Sequence, residues 1–254
     1  MSWTAVVLAG ARPGRDAFAE AHGTDLKALI PIAGLPMVAR PVGALLRSPA
    51  ISRVLVLTQE PDRIGEALPS DERLSLKASD ATIASTLADL LSHPATSFPI
   101  LVTTADHALL DREMVEDFCT KAAGSDVAIG LVEQRPLLDR LPATQRTWIK
   151  FRGGAYSGAN LFAFGDARAV KAVELWRSVE QDRKKGWRMV AALGPAVLMG
   201  AILRLRTLER TLASVGKKLG LSIRAVELSN PLAAVDVDKE ADHALVTAIL
   251  EGRA

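Results

Sequence analysis

An α/β domain built on a sheet of mostly parallel strands, with a helical insertion over residues 166–219, is what the 254-residue sequence predicts. Three observations carry this. Short apolar runs rich in β-branched residues alternate with stretches whose apolar spacing is near 3.6, the pattern of strand–helix–strand units with right-handed crossovers. No internal repeat or low-complexity linker divides the chain, so residues 1–254 read as one domain. Hydrophobic residues make up 49% and charged residues 24%, enough to build a large core and to exclude disordered and fibrous architectures.

Residues 4–9 open the chain as a strand buried on both faces, because Ala5-Val6-Val7-Leu8-Ala9 shows no polar alternation. Residues 53–58, 99–104 and 126–132 read the same way. Helices are expected over residues 36–47, with Pro41 an early irregularity, and over 82–91 and 111–122, where Asp111 followed by Glu113 suits a capped start. Residues 147–152 alternate polar and apolar, Gly153-Gly154 turns the chain, and residues 155–164 return as the second arm of a β-hairpin. A helical block runs from Asp166 to about Leu219, broken at Gly186, Gly194-Pro195 and Gly216. A strand over 222–228, an Asp-rich turn and a helix over 240–250 close the chain.

Lys and Arg number 31 against 29 Asp and Glu, yet residues 168–218 hold twelve basic and four acidic residues, about +8 against about −6 elsewhere. This is either a solvated helical face or a surface for something electronegative. Within it, residues 189–203 form an apolar run flanked by Arg188 and Arg204. As a helix the run would reach about 22 Å, short of a hydrocarbon core of about 30 Å, and Pro195 interrupts it, so it does not span a membrane. Leu198, Ile202, Leu205, Leu208 and Leu212 share one helical face, which leaves open a core-facing helix, a homodimer seam and peripheral contact with a membrane surface. The lone Cys119 excludes a disulfide framework and points to the reducing cytoplasm, and the first ten residues lack the basic start of a signal peptide. Aromatics at 4% leave little from which to build a stacking surface for single-stranded nucleic acid, so no nucleic-acid partner is expected.

The stretch Val6-Val7-Leu8-Ala9-Gly10-Ala11-Arg12-Pro13-Gly14-Arg15 ends a buried strand in small residues, which lets backbone N–H groups approach and cradle phosphate oxygens. Arg12, Arg15 and Lys27 would supply countercharge, arginine by bidentate grips and lysine as a point charge. Asp106 ends the strand over 99–104 and faces the crevice where such sheets bind ligands; Mg²⁺ is held there by one or two carboxylates plus substrate phosphates. A turn-capping aspartate is the plainer alternative. His107 reads as a phosphate contact or an ordinary loop histidine. Asp236 and Asp238 point the same way if their segment is extended, and Asp242 suits the start of the last helix. Thr82 and Ser85 open a helix with hydroxyl groups, which a simple cap also explains. Asn160 inside an apolar strand needs hydrogen-bond partners, from the backbone or from a ligand.

Together, Leu8-Ala9-Gly10-Ala11, Arg15, Lys27-Ala28-Leu29 and Gly34-Leu35-Pro36-Met37 resemble the signature of the sugar-phosphate-type nucleotidyltransferases. That superfamily includes the molybdenum cofactor guanylyltransferases and the methylerythritol phosphate and sugar acid cytidylyltransferases. Its pattern is a hydrophobic strand, L-A-G-G-x-G-x-R, P-K-x-L and G-x-P-M; Ala11 stands here for the second glycine. Asp236-Val237-Asp238 and the residues after it look like the family's D-x-D-T-P-E-D segment, and the resemblance covers roughly residues 3–165 and 222–250. It implies a three-layer α/β/α, Rossmann-like fold of the glycosyltransferase-A kind. It also implies an Mg²⁺-dependent enzyme that moves a nucleoside monophosphate from a nucleoside triphosphate, CTP ahead of GTP, to a phosphorylated small-molecule acceptor with release of pyrophosphate. By the same resemblance Lys27 and Arg15 act on the triphosphate, and Leu8, Ala9, Gly10, Ala11, Arg12, Gly14, Thr82 and Ser85 surround the nucleotide. Asp106, Asp238 and Asp236 would hold the metal, and Tyr156, Gly158 and Asn160 would meet the acceptor. Two rivals stand beside this reading. A nucleotide-sugar glycosyltransferase normally wants a D-x-D motif after the middle strand, which Ala105-Asp106-His107-Ala108 lacks. A non-catalytic nucleotide-binding or regulatory protein on the same fold is compatible with Ala11.

Overall fold

Strand β1 (Trp3–Leu8) is apolar on both sides because it lies inside the sheet, paired in parallel with β4 (Ile51–Thr58) and β6 (Ile100–Thr104). The computed structural model describes residues 2–10, 14–79, 82–181 and 206–253. β5 (Leu74–Ala78) continues the sheet beyond β4 in parallel. On the other side β9 (Gly154–Phe164) runs antiparallel to both β6 and β7 (Val127–Glu133), and β10 (Ile223–Glu227) lies parallel to β7 at the edge. The spatial order is β10-β7-β9-β6-β1-β4-β5, with β8 (Ile149–Phe151) paired to the start of β9 as the hairpin predicted for this region.

Side-chain alternation along the strands produces two cores. Ala5 and Val7 face one side, under α2 (Ala39–Arg47) and α5 (Arg112–Ala122), whose Val42, Leu45, Val115 and Phe118 are fully buried there. Val6 and Leu57 face the other, under α4 (Ile83–Ser92) and α7 (Val170–Gln181), which contribute Leu87, Leu91 and Val173. Burying each such side chain stabilises the fold by about 1.5–3 kcal/mol, so the three-layer arrangement follows from the doubly apolar strands. The Asp111 cap forms as expected, its carboxylate accepting from the Met114 N–H at 2.7 Å.

Several elements depart from the expectations. Residues 36–38 are not helical: β2 (Pro31–Ile32) and β3 (Leu35–Pro36) form a tight hairpin in which Ala33 (φ +44°) and Gly34 (φ +81°) are both left-handed, and α2 starts only at Ala39. Helix α8 (Leu208–Leu219) is not broken at Gly216; it runs on to a left-handed cap at Gly220. Gly216 is instead where the returning chain touches the helix, since a Cβ there would lie 2.4 Å from the Leu221 carbonyl oxygen. The sequence pattern also left out β5 and the short helices α1 (Ala17–Ala21), α3 (Pro61–Glu66) and α6 (Gln134–Arg140). The last helix, α9 (Glu240–Leu250), is where it was expected.

The segment 166–219, expected as a helical insertion, is helical towards both of its ends, in α7 and α8. Its middle, with Gly186, Gly194-Pro195, the apolar run over 189–203 and Leu198, Ile202 and Leu205, lies outside the described residues. Of the proposed stripe, Leu208 is buried and Leu212 half-buried, and α8 packs along β10. Among the described residues, no helix is long and apolar enough to cross a membrane.

Candidate active site

The carboxyl ends of β1 and β6 are drawn together by the Ala105 N–H donating to the Leu8 carbonyl at 3.0 Å, which sets Asp106 at the mouth of the sheet. Two further segments converge on it. The chain after β1 returns through Lys27, which is fixed because its neighbours are core: Val38 N–H bonds the Ala28 carbonyl and Met37 N–H the Ile30 carbonyl, both at 2.9 Å. Ala28, Ile30, Met37 and Val38 are all buried. From the far end of the chain, the Val237 N–H donates to the Asp106 carbonyl at 3.1 Å, so Asp236 and Asp238 flank the same point.

Lys27 Nζ then lies between two carboxylates, 2.8 Å from Asp106 Oδ2 and 2.6 Å from Asp238 Oδ1. Thr104 Oγ1 donates to the other Asp106 oxygen at 2.5 Å and sets the carboxylate plane. Desolvation pulls the lysine pKa down, but the charges and hydrogen bonds of Asp106 and Asp238 outweigh it and leave the pKa raised, so Nζ stays protonated. Asp238 is the open lip, 64% exposed against 22% for Asp106.

Asp236 does not share the outlook of Asp238. Its carboxylate turns inward to Arg146 Nη1 and, at 3.2 Å, accepts from Asn160 Nδ2. Burial and the neighbouring charge of Asp238 raise its pKa, against the pull of Arg146. Asn160 reaches it from a bulge in β9, where the register to β7 skips and Asn160 takes a left-handed φ of +48° that asparagine tolerates better than most residues. Arg146 also bonds Asp242 at 3.0 Å, and the second Asp242 oxygen accepts the Asp238 N–H at 3.2 Å. Asp242 thus does more than favour the start of α9. Arg146 was missed in the sequence because it stands in an unpatterned loop, where nothing marks one arginine as buried.

The other predicted residues are placed as follows. Ala9 is buried and its N–H is taken by the Leu57 carbonyl at 2.8 Å, so it has none to offer a phosphate; Leu8 is half-buried in β1. Gly10 is exposed beneath the Gln59 side chain, and Gly14 is exposed at φ +106°. Ala11 and Arg12 lie outside the described residues. Arg15 is not part of the lysine–carboxylate cluster: it is fully exposed and paired with Glu20 at 2.7 Å. Thr82 caps α4, accepting from the Ser85 N–H at 3.3 Å and donating to Ser85 Oγ at 3.1 Å, which is the plainer of the two uses considered. Tyr156 and Gly158 lie on β9, Tyr156 half-buried against Phe151 and Gly158 exposed. His107 is fully buried, bonded through Nδ1 to Thr103 Oγ1 at 3.3 Å, and burial pushes its pKa down to about 4, so it meets no phosphate. A cavity of about 430 Å³ lies on the opposite sheet face beside α4, between Val6, Leu55, Leu57 and Thr86; none of Lys27, Asp106 or Asp238 lines it.

The arrangement gathers two carboxylates of the kind that hold hard cations, and one ammonium, at a single sheet edge. No curated protein matches the sequence at a significant level. Among solved structures, a hypothetical transferase from Thermus thermophilus is 29% identical and superposes with a TM-score of 0.80 over 96% of this chain and 100% of its own. The 4-diphosphocytidyl-2C-methyl-D-erythritol synthase of Anaerococcus prevotii (11% identity, TM-score 0.62, 98% and 96% covered) shares the fold. So does a CMP:2-keto-3-deoxy-manno-octonic acid synthetase complexed with CTP (13%, 0.60, all of both chains). The family model of the MobA-like NTP transferase domain matches residues 5–217. The chain therefore belongs to the family of the MobA-like NTP transferase domain and is a nucleotidyltransferase.

Proposed function

We propose that this nucleotidyltransferase takes a nucleoside monophosphate from a nucleoside triphosphate, with CTP preferred over GTP, and attaches it to the phosphate of a small acceptor, in a reaction dependent on Mg²⁺. The observation that carries the reading is the convergence of Asp106 and Asp238 on Lys27 Nζ at the end of β1 and β6. The donor set suits Mg²⁺, since every candidate ligand is a carboxylate oxygen and no nitrogen or sulfur ligand intrudes among the described cluster residues. Asp106 and Asp238 would hold the ion, and when bound it would neutralise charge on the triphosphate.

An oxygen of the acceptor phosphate attacks the α-phosphorus; the new P–O bond forms as the α–β bridging bond breaks, and its electron pair leaves with pyrophosphate. No general base is needed, because the acceptor phosphate is already ionised near neutral pH. Lys27, kept protonated, places a positive charge beside the phosphate chain. Thr104 holds the Asp106 plane, and Arg146 with Asn160 holds the Asp236–Asp238 segment, so the groups are positioned before substrate arrives. Arg15 is available to the triphosphate at small cost, since an exposed ion pair such as that with Glu20 holds it weakly. Tyr156, Gly158 and Asn160 are assigned to the acceptor side. The preference for cytidine rests on the likeness of the glycine loop and the β8–β9 hairpin to cytidylyltransferases.

The test is thermal unfolding with ATP, CTP, GTP and UTP in turn, with and without Mg²⁺, on the parent and on Asp106→Ala. A ligand at a hundredfold its dissociation constant adds about 2.7 kcal/mol, or roughly 5–10 °C for a chain of this size. The expected result is an Mg²⁺-dependent rise largest with CTP and absent in Asp106→Ala, followed by pyrophosphate release with a phosphorylated acceptor. No rise with any triphosphate would overturn the reading.

A further inference from the structure

Away from the lysine–carboxylate cluster, a second set of ligand-type side chains meets where α1 ends against the first turn of α9. The sequence has 4 histidines, and two of them, His22 and His243, stand here with ring centroids 4.3 Å apart. Glu240 and His243, three residues apart on α9, share a helical face. Glu240 Oε2 lies 2.9 Å from His22 Nε2, and one ligand atom from each of the three residues falls within 4.8 Å of the other two.

The orientation of His243 is the more telling observation. Its Nε2 lies 2.8 Å from the Pro31 carbonyl oxygen, which can only accept, so Nε2 carries the proton and the lone pair of the neutral ring is on Nδ1. A ring N–H donated to a backbone carbonyl, with the other nitrogen left basic, is the way metal-binding histidines are oriented. Phe18 walls the site, packed edge-on to His22 at 5.1 Å and to His243 at 6.4 Å.

We propose that His22, Glu240 and His243 bind a divalent transition metal of the Zn²⁺ class, at a site separate from the Mg²⁺ site assigned to Asp106 and Asp238. Two imidazole nitrogens and one carboxylate suit zinc, whereas an all-oxygen set suits magnesium. Donors around a tetrahedral zinc stand roughly 3.4 Å apart, given Zn–N and Zn–O near 2.1 Å, so the His22–Glu240 pair at 2.9 Å would open slightly and the wider separations, within 4.8 Å, would close to seat an ion. The ion would tie α1, on the chain leading to Lys27, to the helix that follows Asp238, and so clamp two of the three segments that build the active site.

The experiment is titration of the chelator-stripped full chain with Co²⁺ and then Zn²⁺, in excess Mg²⁺ to occupy the carboxylate site. Visible absorption, calorimetry and the unfolding midpoint are the readouts. The expected result is a saturable site giving tetrahedral Co²⁺ bands that Zn²⁺ displaces, with a raised midpoint. It should persist in His93→Ala and Asp106→Asn and be lost in His22→Ala and His243→Ala. Glu240→Gln is the variant safe for folding, since Glu240 is exposed; it should weaken binding by at least the roughly 10–100-fold that losses around a metal site cost. Absence of saturable Co²⁺ and Zn²⁺ binding in the parent, or binding unchanged in Glu240→Gln and in the His22→Ala/His243→Ala double variant, would overturn the proposal.

Discussion

Replacing Arg146 by methionine tests whether the active site rests on a buried charge network. The Arg146 side chain is 7% exposed and serves both Asp236 and Asp242, with a further bond of 3.3 Å to the Asp236 carbonyl. Methionine fills much of the volume but leaves Asp236, already destabilised as a carboxylate by burial, and Asp242 without their cation. Breaking a buried pair by removing one partner costs about 3–5 kcal/mol, because the charge left behind stays desolvated. Summing two charge-assisted bonds at about 1.5–3 kcal/mol each gives about 3–6 kcal/mol, which overlaps that range. Urea unfolding at neutral pH, followed by circular dichroism, should therefore show Arg146→Met less stable by about 3–5 kcal/mol. In Arg146→Met/Asp236→Asn the loss should shrink, since one stranded charge is gone. Arg146→Lys should fall between parent and Arg146→Met, because a single ammonium cannot span both carboxylates as the guanidinium fork does. A loss under about 1 kcal/mol in Arg146→Met would refute the reasoning and place the network among ordinary surface pairs.

Three further outcomes are expected. Lys27→Met should reduce kcat/KM by about 10²–10³-fold in a pyrophosphate-release assay, as removal of one preorganised charge-stabilising donor does, while the fold survives by circular dichroism; unchanged turnover would remove Lys27 from the mechanism. His107 has a folded pKa of about 4, below the ordinary histidine value of 6.5, through burial and against the charge of Asp106. The unfolded chain binds the extra proton first, so the stability due to neutral His107 is full above pH 6.5 and is lost as pH falls towards 4, by roughly 3 kcal/mol. The unfolding free energy of His107→Gln should accordingly drop less than the parent's over that interval, and parallel curves would disprove it. Gly216→Ala should destabilise by about 1–3 kcal/mol despite the better helix propensity of alanine, because its Cβ would lie 2.4 Å from the Leu221 carbonyl oxygen; a stabilised variant would mean that this contact relaxes freely.

The strands were readable from sequence where burial on both faces removed any alternation, as in Val6-Val7-Leu8 and Ile100-Leu101-Val102. β5 was not, since Leu74-Ser75-Leu76-Lys77-Ala78 is a half-exposed edge strand with too few apolar residues to stand out. Lys27, Asp106 and Asp238 could be named in advance because they belong to motifs that place charge beside a strand end. That they share one hydrogen-bonded cluster depends on backbone contacts such as Val237 N–H to Asp106, joining residues more than a hundred positions apart, and no local pattern encodes such a contact. A period of two would point Asp236 the same way as Asp238 in an extended segment, but the segment joins no strand, and Arg146 and Asn160 turn the Asp236 carboxylate inward.

The charge of the assembled site leads to a last prediction. Among the described residues, the four carboxylates Asp106, Asp236, Asp238 and Asp242 are paired with Lys27 and Arg146. A triphosphate brought to this edge meets the repulsion of these carboxylates, and the Lys27 ammonium is already held by two of them. Nucleotide and divalent cation must then bind with strong positive coupling, each raising the affinity for the other by the same factor. Calorimetric titration of CTP in chelator and in Mg²⁺ should show at least about a hundredfold tighter binding with the ion, corresponding to roughly 3 kcal/mol of coupling. Asp238→Asn removes one of the opposing charges and one bond on Lys27, so it should weaken Mg²⁺-dependent binding while improving binding in chelator. Equal CTP affinity with and without Mg²⁺ would show that the lysine and the glycine loop suffice for the triphosphate, and the carboxylates would then need another role.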